Sequence, residues 1–144
     1  MNLTSGVIKT VPCKLSIMDN ILVTESRRFV ADHYHSAPSF KEQRHGHNWE
    51  IEATVGNGGL VRLGTVLDTW IENFDYSLLN EQVALKDRNP TAEVIAEHLF
   101  RHLEVACLCP IEVRVREKFH YWATCCPTNR QSSTCLARTQ RAND

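Results

Sequence analysis

The sequence predicts an α+β domain, one sheet covered on a single face by two helices, in the order strand, strand, helix, helix, strand, strand. Three observations carry this. Trp49, Ile51, Ala53 and Val55 alternate with Glu50, Glu52 and Thr54, the period of two expected of a strand with one buried face. Val66, Leu67, Trp70, Ile71 and Phe74 recur at the spacings of one helix face. Ile111, Val113 and Val115 alternate with Glu112, Arg114 and Arg116 in a second half-buried strand. Elements of this number and kind build a layer of helices on a sheet.

In chain order, residues 1–20 read as an N-terminal extension with no function assigned, 21–124 as the domain, and 125–144 as a tail. Ile21 to Phe29 suits a strand with one wet face, ending at a loop that carries His33. Ser36 to Lys41, with Pro38 and Ser39, reads as a connecting loop that delivers Glu42. The strand around Trp49 follows, with His45 and His47 in phase with its apolar residues. Gly56-Asn57-Gly58-Gly59 is a turn leading into the first helix. A second helix takes Asn89 as N-cap and Pro90 as its first residue, buries Ile95, Leu99 and Leu103, and is closed by Pro110. The strand at Ile111 then pairs with a short one from His120 to Cys125. From Pro127 onward the chain is polar with almost nothing to bury, which predicts disorder. The sheet face away from the helices is expected to carry apolar residues, and its edges to be open, so self-association is expected.

The 144 residues suit one domain, and 42% hydrophobic with 23% charged residues is ordinary for a globular chain. A net charge of -1 gives no reason to expect nucleic acid or an anionic membrane as partner. No apolar run reaches membrane-spanning length and the first residues do not form a signal peptide, so a cytoplasmic protein is expected. The six cysteines contain no Cys-x-x-Cys pair and read as free thiols.

The chemistry concentrates in Glu42-Gln43-Arg44-His45-Gly46-His47-Asn48-Trp49. On a strand His45 and His47 project to one face, while Gly46 lets another group approach closely. A third imidazole is available from His33 or His35, and spacing alone does not choose between them. Three histidines with one open position is the arrangement of a catalytic zinc. The plain alternative is a pair of ordinary histidines at a strand end.

The run Phe29-Val30-Ala31-Asp32-His33, then His45-Gly46-His47-Asn48-Trp49, Asn73 to Asn80, Asn89-Pro90-Thr91-Ala92-Glu93 and Val115-Arg116-Glu117 resembles the 6-pyruvoyl tetrahydropterin synthase and 6-carboxytetrahydropterin synthase family over residues 21–124. The resemblance implies a tunnelling fold (T-fold), with an antiparallel sheet that three subunits close into a barrel and two trimers stack as a hexamer. It selects His33, with His45 and His47, as the ligands of Zn2+. It implies a dihydropterin substrate, 7,8-dihydroneopterin triphosphate, with Thr91, Glu93 and Glu117 binding the pterin. Glu117 would accept an amino group and a ring N–H together. Glu42, Asp75 and Glu117 are the implied catalytic residues. The ordinary reading of Glu117 is a solvated charge at a strand end, of Thr91 a first-turn residue, of Glu93 a complement to the helix dipole, and of Glu42 a loop charge.

Two positions depart from the family pattern. The family's cysteine is Lys41 here, and Glu42 gives the Glu-x-x-His-Gly-His pattern of a branch that resembles enzymes cleaving the side chain to 6-hydroxymethyl-7,8-dihydropterin, a folate precursor. Tyr76 stands where the family has the histidine of an Asp-His relay, and tyrosine does not shuttle protons near neutral pH as imidazole does. Three functions compete. The first is a zinc-dependent carbon–carbon lyase with Glu42 as base. The second is a 6-carboxy- or 6-pyruvoyl-tetrahydropterin synthase, disfavoured by Lys41. The third is a zinc- and pterin-binding homologue without catalysis.

Overall fold

The computed structural model describes residues 21–56 and 60–128. Strand β1 (Val23–Ala37) and strand β2 (Phe40–Val55) form one long antiparallel hairpin. Helix α1 (Leu60–Phe74) follows, then a two-residue strand β3 (Ser77–Leu78), two short 3-10 turns (Leu79–Glu81 and Val83–Leu85), helix α2 (Ala92–Val105), and the hairpin of β4 (Pro110–Lys118) and β5 (Tyr121–Cys125). The sheet order is β3-β1-β2-β4-β5, antiparallel except for β3, which runs parallel to β1. This is the expected α+β layer. No helix among the described residues is long and apolar enough to cross a membrane.

Alternation builds the core. Phe29 and Ala31 of β1, Trp49, Ile51, Ala53 and Val55 of β2, and Val113 and Val115 of β4 all turn to the helix side and are buried. Helix α1 covers them with Leu63, Leu67, Trp70 and Phe74, and α2 with Ile95, Leu99, Phe100 and Leu103. Phe29 stacks on Trp49 at 5.9 Å and meets the edge of Trp70 at 5.7 Å, so both strands and α1 share one aromatic contact. Each fully buried side chain of this size is worth about 1.5–3 kcal/mol of transfer free energy, which makes packing rather than helix propensity the main source of order here.

Several expectations are corrected. β1 does not end before His33 but continues through it, and Ser36 to Lys41 is not a loop. Pro38 and Ser39 alone make the turn, so Glu42 lies in a strand. The cap of α2 is Thr91, whose hydroxyl accepts the Val94 N–H at 3.3 Å, and not Asn89. Asn89 is engaged elsewhere, its side-chain oxygen taking the Ser36 N–H at 3.3 Å. Pro110 opens β4 rather than closing α2, which ends at Val105 and leaves through Cys107 and Cys109 with positive φ. The face away from the helices is charged rather than apolar. Arg28 and Arg116 pair with Glu50, Arg114 pairs with Glu52, and both Arg114 and Arg116 lie over the Trp122 ring. Cys107 and Cys125 are free thiols as expected, but Cys109 and Cys126 are each in a disulfide, which spacing in the sequence does not reveal. The turn at 57–59 and residues 1–20 and 129–144 lie outside the described residues, and with them most of the expected tail.

The stretch after α1 has a structural task the sequence did not disclose. Asp75 Oδ1 accepts the Val30 N–H at 2.8 Å, β3 pairs with Ala31 and Asp32, and the Asn80 carboxamide both accepts from Tyr34 N and donates to Tyr34 O. The outer edge of β1 from Val30 to Ser36 is thereby satisfied.

Candidate active site

His33 on β1, His45 and His47 on β2, and Glu117 on β4 converge at the end of the buried face. One nitrogen or oxygen from each lies within 4.8 Å of every other. The register explains the meeting. His33 pairs with His45 and Ala31 with His47, so strand neighbours bring the imidazoles together, and Glu117 continues the inward phase of Val113 and Val115 up to a register shift between Arg116 and Lys118. Gly46 points to the other face, where an added Cβ would stand 2.7 Å from Asp32 Oδ1. No side chain fits there without displacing Asp32 and its partner Arg44.

The hydrogen bonds fix which nitrogens face inward. His33 Nδ1 lies 2.8 Å from the Pro90 carbonyl and His45 Nδ1 2.7 Å from the Gln43 carbonyl. A carbonyl only accepts, so both rings carry their proton on Nδ1 and present Nε2 lone pairs. Those two Nε2 atoms are 3.1 Å apart. Two lone pairs at that distance make no hydrogen bond between neutral rings, and a shared cation satisfies both. His47 Nε2 is buried with no hydrogen-bond partner; it lies 3.2 Å from Glu117 Oε1, but out of line for a bond. Burial lowers the pKa of His33 and His47, against the opposing pull of Glu117, and keeps them in the neutral form that binds metals. The donor set thus fits a metal ion, and imidazoles with one carboxylate suit a borderline-soft divalent ion. Sequence reasoning found the three histidines but not the place of Glu117 among them.

Glu42 arrives by a bulge. Between the pairs His33 with His45 and His35 with Glu42, β2 has one more residue than β1. In a regular strand an odd separation from His45 would turn Glu42 to the opposite face; the extra residue brings it back to the histidine face. Its Oε1 lies 3.7 Å from His45 Nε2 and its Oε2 3.8 Å from His35 Nε2.

Beside the histidines is a cavity of about 320 Å³. Glu42, Thr91, Glu93 and Glu117 all line it, together with His35, Phe40, Lys118, His120 and Tyr121, which the sequence did not single out as pocket residues. Tyr121 donates a hydrogen bond to Glu93. That bond pushes the tyrosine pKa up to about 12. Burial alone would raise the Glu93 pKa, but the Tyr121 hydroxyl, its own backbone N–H and Thr91 outweigh this and lower it. Two other cavities, of about 380 and 450 Å³, are larger, but the first holds none of the candidate residues and the second only Glu93. Convergence of three carboxylates beside a group that could hold a metal, not volume, marks this as the candidate site. Asp75 is not brought to it, being bonded to Val30, and Tyr76 is 84% exposed with φ 54.

Over residues 22–127 the sequence matches the family described as 6-pyruvoyl tetrahydropterin synthase. The fold is similar to that of the Caenorhabditis elegans 6-pyruvoyl tetrahydropterin synthase, with a TM-score of 0.63 and 17% identity over 75% of this chain and 96% of that one. It is also similar to the Plasmodium falciparum 6-pyruvoyl tetrahydropterin synthase, with a TM-score of 0.50 and 15% identity over 73% and 96% of the two chains. A Plasmodium vivax 6-pyruvoyltetrahydropterin synthase in which a catalytic glutamate is replaced by alanine gives a TM-score of 0.50 and 12% identity over 74% and 98%. No curated protein matches the sequence. At these identities the solved structures speak to the fold.

Proposed function

Because the chain belongs to the 6-pyruvoyl tetrahydropterin synthase family, we propose that it is a zinc-dependent lyase of pterin metabolism that cleaves the side chain of 7,8-dihydroneopterin triphosphate to give 6-hydroxymethyl-7,8-dihydropterin. The observation that carries this reading is the shared cavity, which gathers Glu42, Thr91, Glu93 and Glu117 beside three inward-facing imidazoles. His33, His45 and His47 would hold the ion. Bound there, zinc supplies a Lewis acid that polarises a hydroxyl or carbonyl oxygen of the substrate.

The chain's own groups do the rest. Glu117, on the wall between the histidines and the cavity, accepts the amino and ring N–H donors of the pterin, and Thr91 and Glu93 at the start of α2 complete its binding. Glu42 takes the proton from the 2'-hydroxyl as the C1'–C2' bond breaks, so that this oxygen leaves as the aldehyde of the departing two-carbon triphosphate fragment. The electron pair left on C1', delocalised into the pterin ring, then takes back a proton, which the protonated Glu42 can supply, to give the hydroxymethyl group. The P. vivax relative also has a glutamate as a catalytic residue, and Glu42 is a glutamate held at the edge of the histidine cluster. Lys41, in the place of the family's cysteine, speaks against the alternative 6-carboxy- or 6-pyruvoyl-tetrahydropterin synthase. Asp75 is committed to β1 within its own chain, so a catalytic part for it depends on assembly with other copies. The exposed Tyr76 favours a second reading, a zinc- and pterin-binding homologue without turnover.

Incubating zinc-loaded protein with 7,8-dihydroneopterin triphosphate and weighing the products separates these readings. The expected product is 6-hydroxymethyl-7,8-dihydropterin, and Glu42→Gln is expected to keep zinc and pterin binding while losing turnover by roughly 10² or more. An unchanged rate in Glu42→Gln removes Glu42 as the base. Pterin binding without any product establishes the second reading.

A further inference from the structure

His35 lines the cavity beside Glu42 but, unlike His33, His45 and His47, has no chemical role assigned to it. It is only 5% exposed, and its ring is held between His33, at 4.7 Å, and Phe40, at 4.8 Å. Its Nδ1 is buried without a hydrogen-bond partner, while its Nε2 faces Glu42 Oε2 at the cavity wall. A neutral imidazole has one N–H and one lone pair. Buried N–H groups are almost never left orphaned, whereas an unmatched acceptor is tolerated more often. A carboxylate, moreover, only accepts. The lone pair therefore belongs on Nδ1 and the proton on Nε2, the opposite arrangement to His33 and His45, whose Nδ1 protons are taken by backbone carbonyls.

We propose that His35 is a positioning residue for Glu42, a fixed Nε2–H donor that holds the carboxylate over the cavity. This rests on the reading of Glu42 as the base. The bulge in β2 makes it possible, because it sets Glu42 rather than Gln43 opposite His35. The two β1 histidines on one face then divide the work by tautomer: His33 offers a lone pair inward, and His35 offers a proton. The separation is 3.8 Å, longer than a hydrogen bond. A small rotation of the Glu42 side chain closes it when substrate fills the cavity, as active-site bonds commonly tighten on binding.

Two measurements test this. In 15N-labelled, zinc-loaded protein, the ring nitrogens of His35 should report the Nε2–H tautomer and those of His33 and His45 the Nδ1–H tautomer, whether or not the protein turns over any pterin. An Nδ1–H tautomer at His35 overturns the proposal. His35→Leu removes the donor and keeps bulk, whereas His35→Gln keeps an N–H near the position of Nε2. Both should retain zinc; His35→Leu should lower kcat by about 10-fold to 10²-fold with little change in KM, and His35→Gln should recover most of it. Loss of zinc from His35→Leu would place His35 among the ligands, and an unchanged kcat would leave it without a role at Glu42; either result sinks the idea. Absence of turnover in the parent protein would count against the proposed lyase activity alone, because the tautomer is still read.

Discussion

A single hydroxyl, that of Tyr121, ties β5 to the first turn of α2 by donating to Glu93 at the cavity rim. Tyr121→Phe keeps the ring and removes the donor. Because both groups reach solvent, water competes for the bond and the loss should be at the low end for a charged hydrogen bond: pterin binding weaker by roughly threefold to tenfold, with the melting temperature nearly unchanged. Equal affinity by titration calorimetry would show that Glu93 needs no such support. His98 offers a test of a different kind. Trp70 Nε1–H donates to its Nδ1 at 3.1 Å, and burial, with help from His102 and Arg88, lowers its pKa. The folded pKa lies below the unfolded value of about 6.5, so above that pH both states are neutral and stability is full. As pH falls the unfolded chain takes the proton first, and stability drops until the lowered folded pKa is passed. His98→Gln should therefore show a smaller fall in melting temperature between pH 7.5 and 5.5 than the parent. Identical falls would mean that His98 does not contribute.

At the level of elements, α2 begins where the site needs it. Thr91 caps the helix, and the Pro90 carbonyl just before it holds the His33 ring, so the cap and the candidate metal ligand are fixed by adjacent residues. Thr91→Ala should cost about 1 kcal/mol in denaturant unfolding, the usual loss for a missing cap, and Thr91→Ser should restore most of it. If Thr91→Ala is as stable as the parent, the hydroxyl is not acting as a cap. An Asn-Pro pair reads locally as a cap and first residue, but Asn89 and Pro90 are drawn away by Ser36 and His33, contacts more than 50 residues distant in sequence. The same limit explains β1 and β2. Period two made Trp49 to Val55 and the phase of His45 and His47 legible, because a buried face writes its alternation directly into residue choice. A bulge leaves no such mark. Nothing in the order of residues around Gln43 and Arg44 announces that Glu42 returns to the inner face. The role of Tyr121 was equally hidden, since it comes from Glu93 on α2, and spacing offered His35 only as a possible ligand, its place opposite Glu42 being set by the bulge. The edge-sealing by Asp75, Asn80 and Asn89 was invisible for the same reason.

For the whole molecule, the charged outer face gives no hydrophobic reason to associate, because Arg28, Glu50 and Arg116 already satisfy one another. The edges do. Side chains and β3 seal β1 from Val30 to Ser36, but from Val23 to Phe29 its only strand neighbour among the described residues is β2. On the opposite side of the sheet, β5 pairs among the described residues only with β4. Two different edges left at opposite ends of one sheet suit head-to-tail pairing, and a head-to-tail contact that closes makes a ring. We therefore propose that copies of the chain pair β5 to the open half of β1; three sheets closing a barrel and two such rings stacking as six chains is what the family resemblance implies. Sedimentation at micromolar concentration should show a species far above the 16.5 kDa of one chain, and breaking the edge should lower it. Proline at Ser26 or Thr124 removes a backbone donor from one edge or the other; at least one of the two should shift the protein toward monomer while leaving a folded circular dichroism spectrum. The same variant should bind pterin less well if residues of a neighbouring copy, Asp75 among them, complete the cavity. A strict monomer that binds pterin as tightly as the assembled parent would show that each chain carries a whole site.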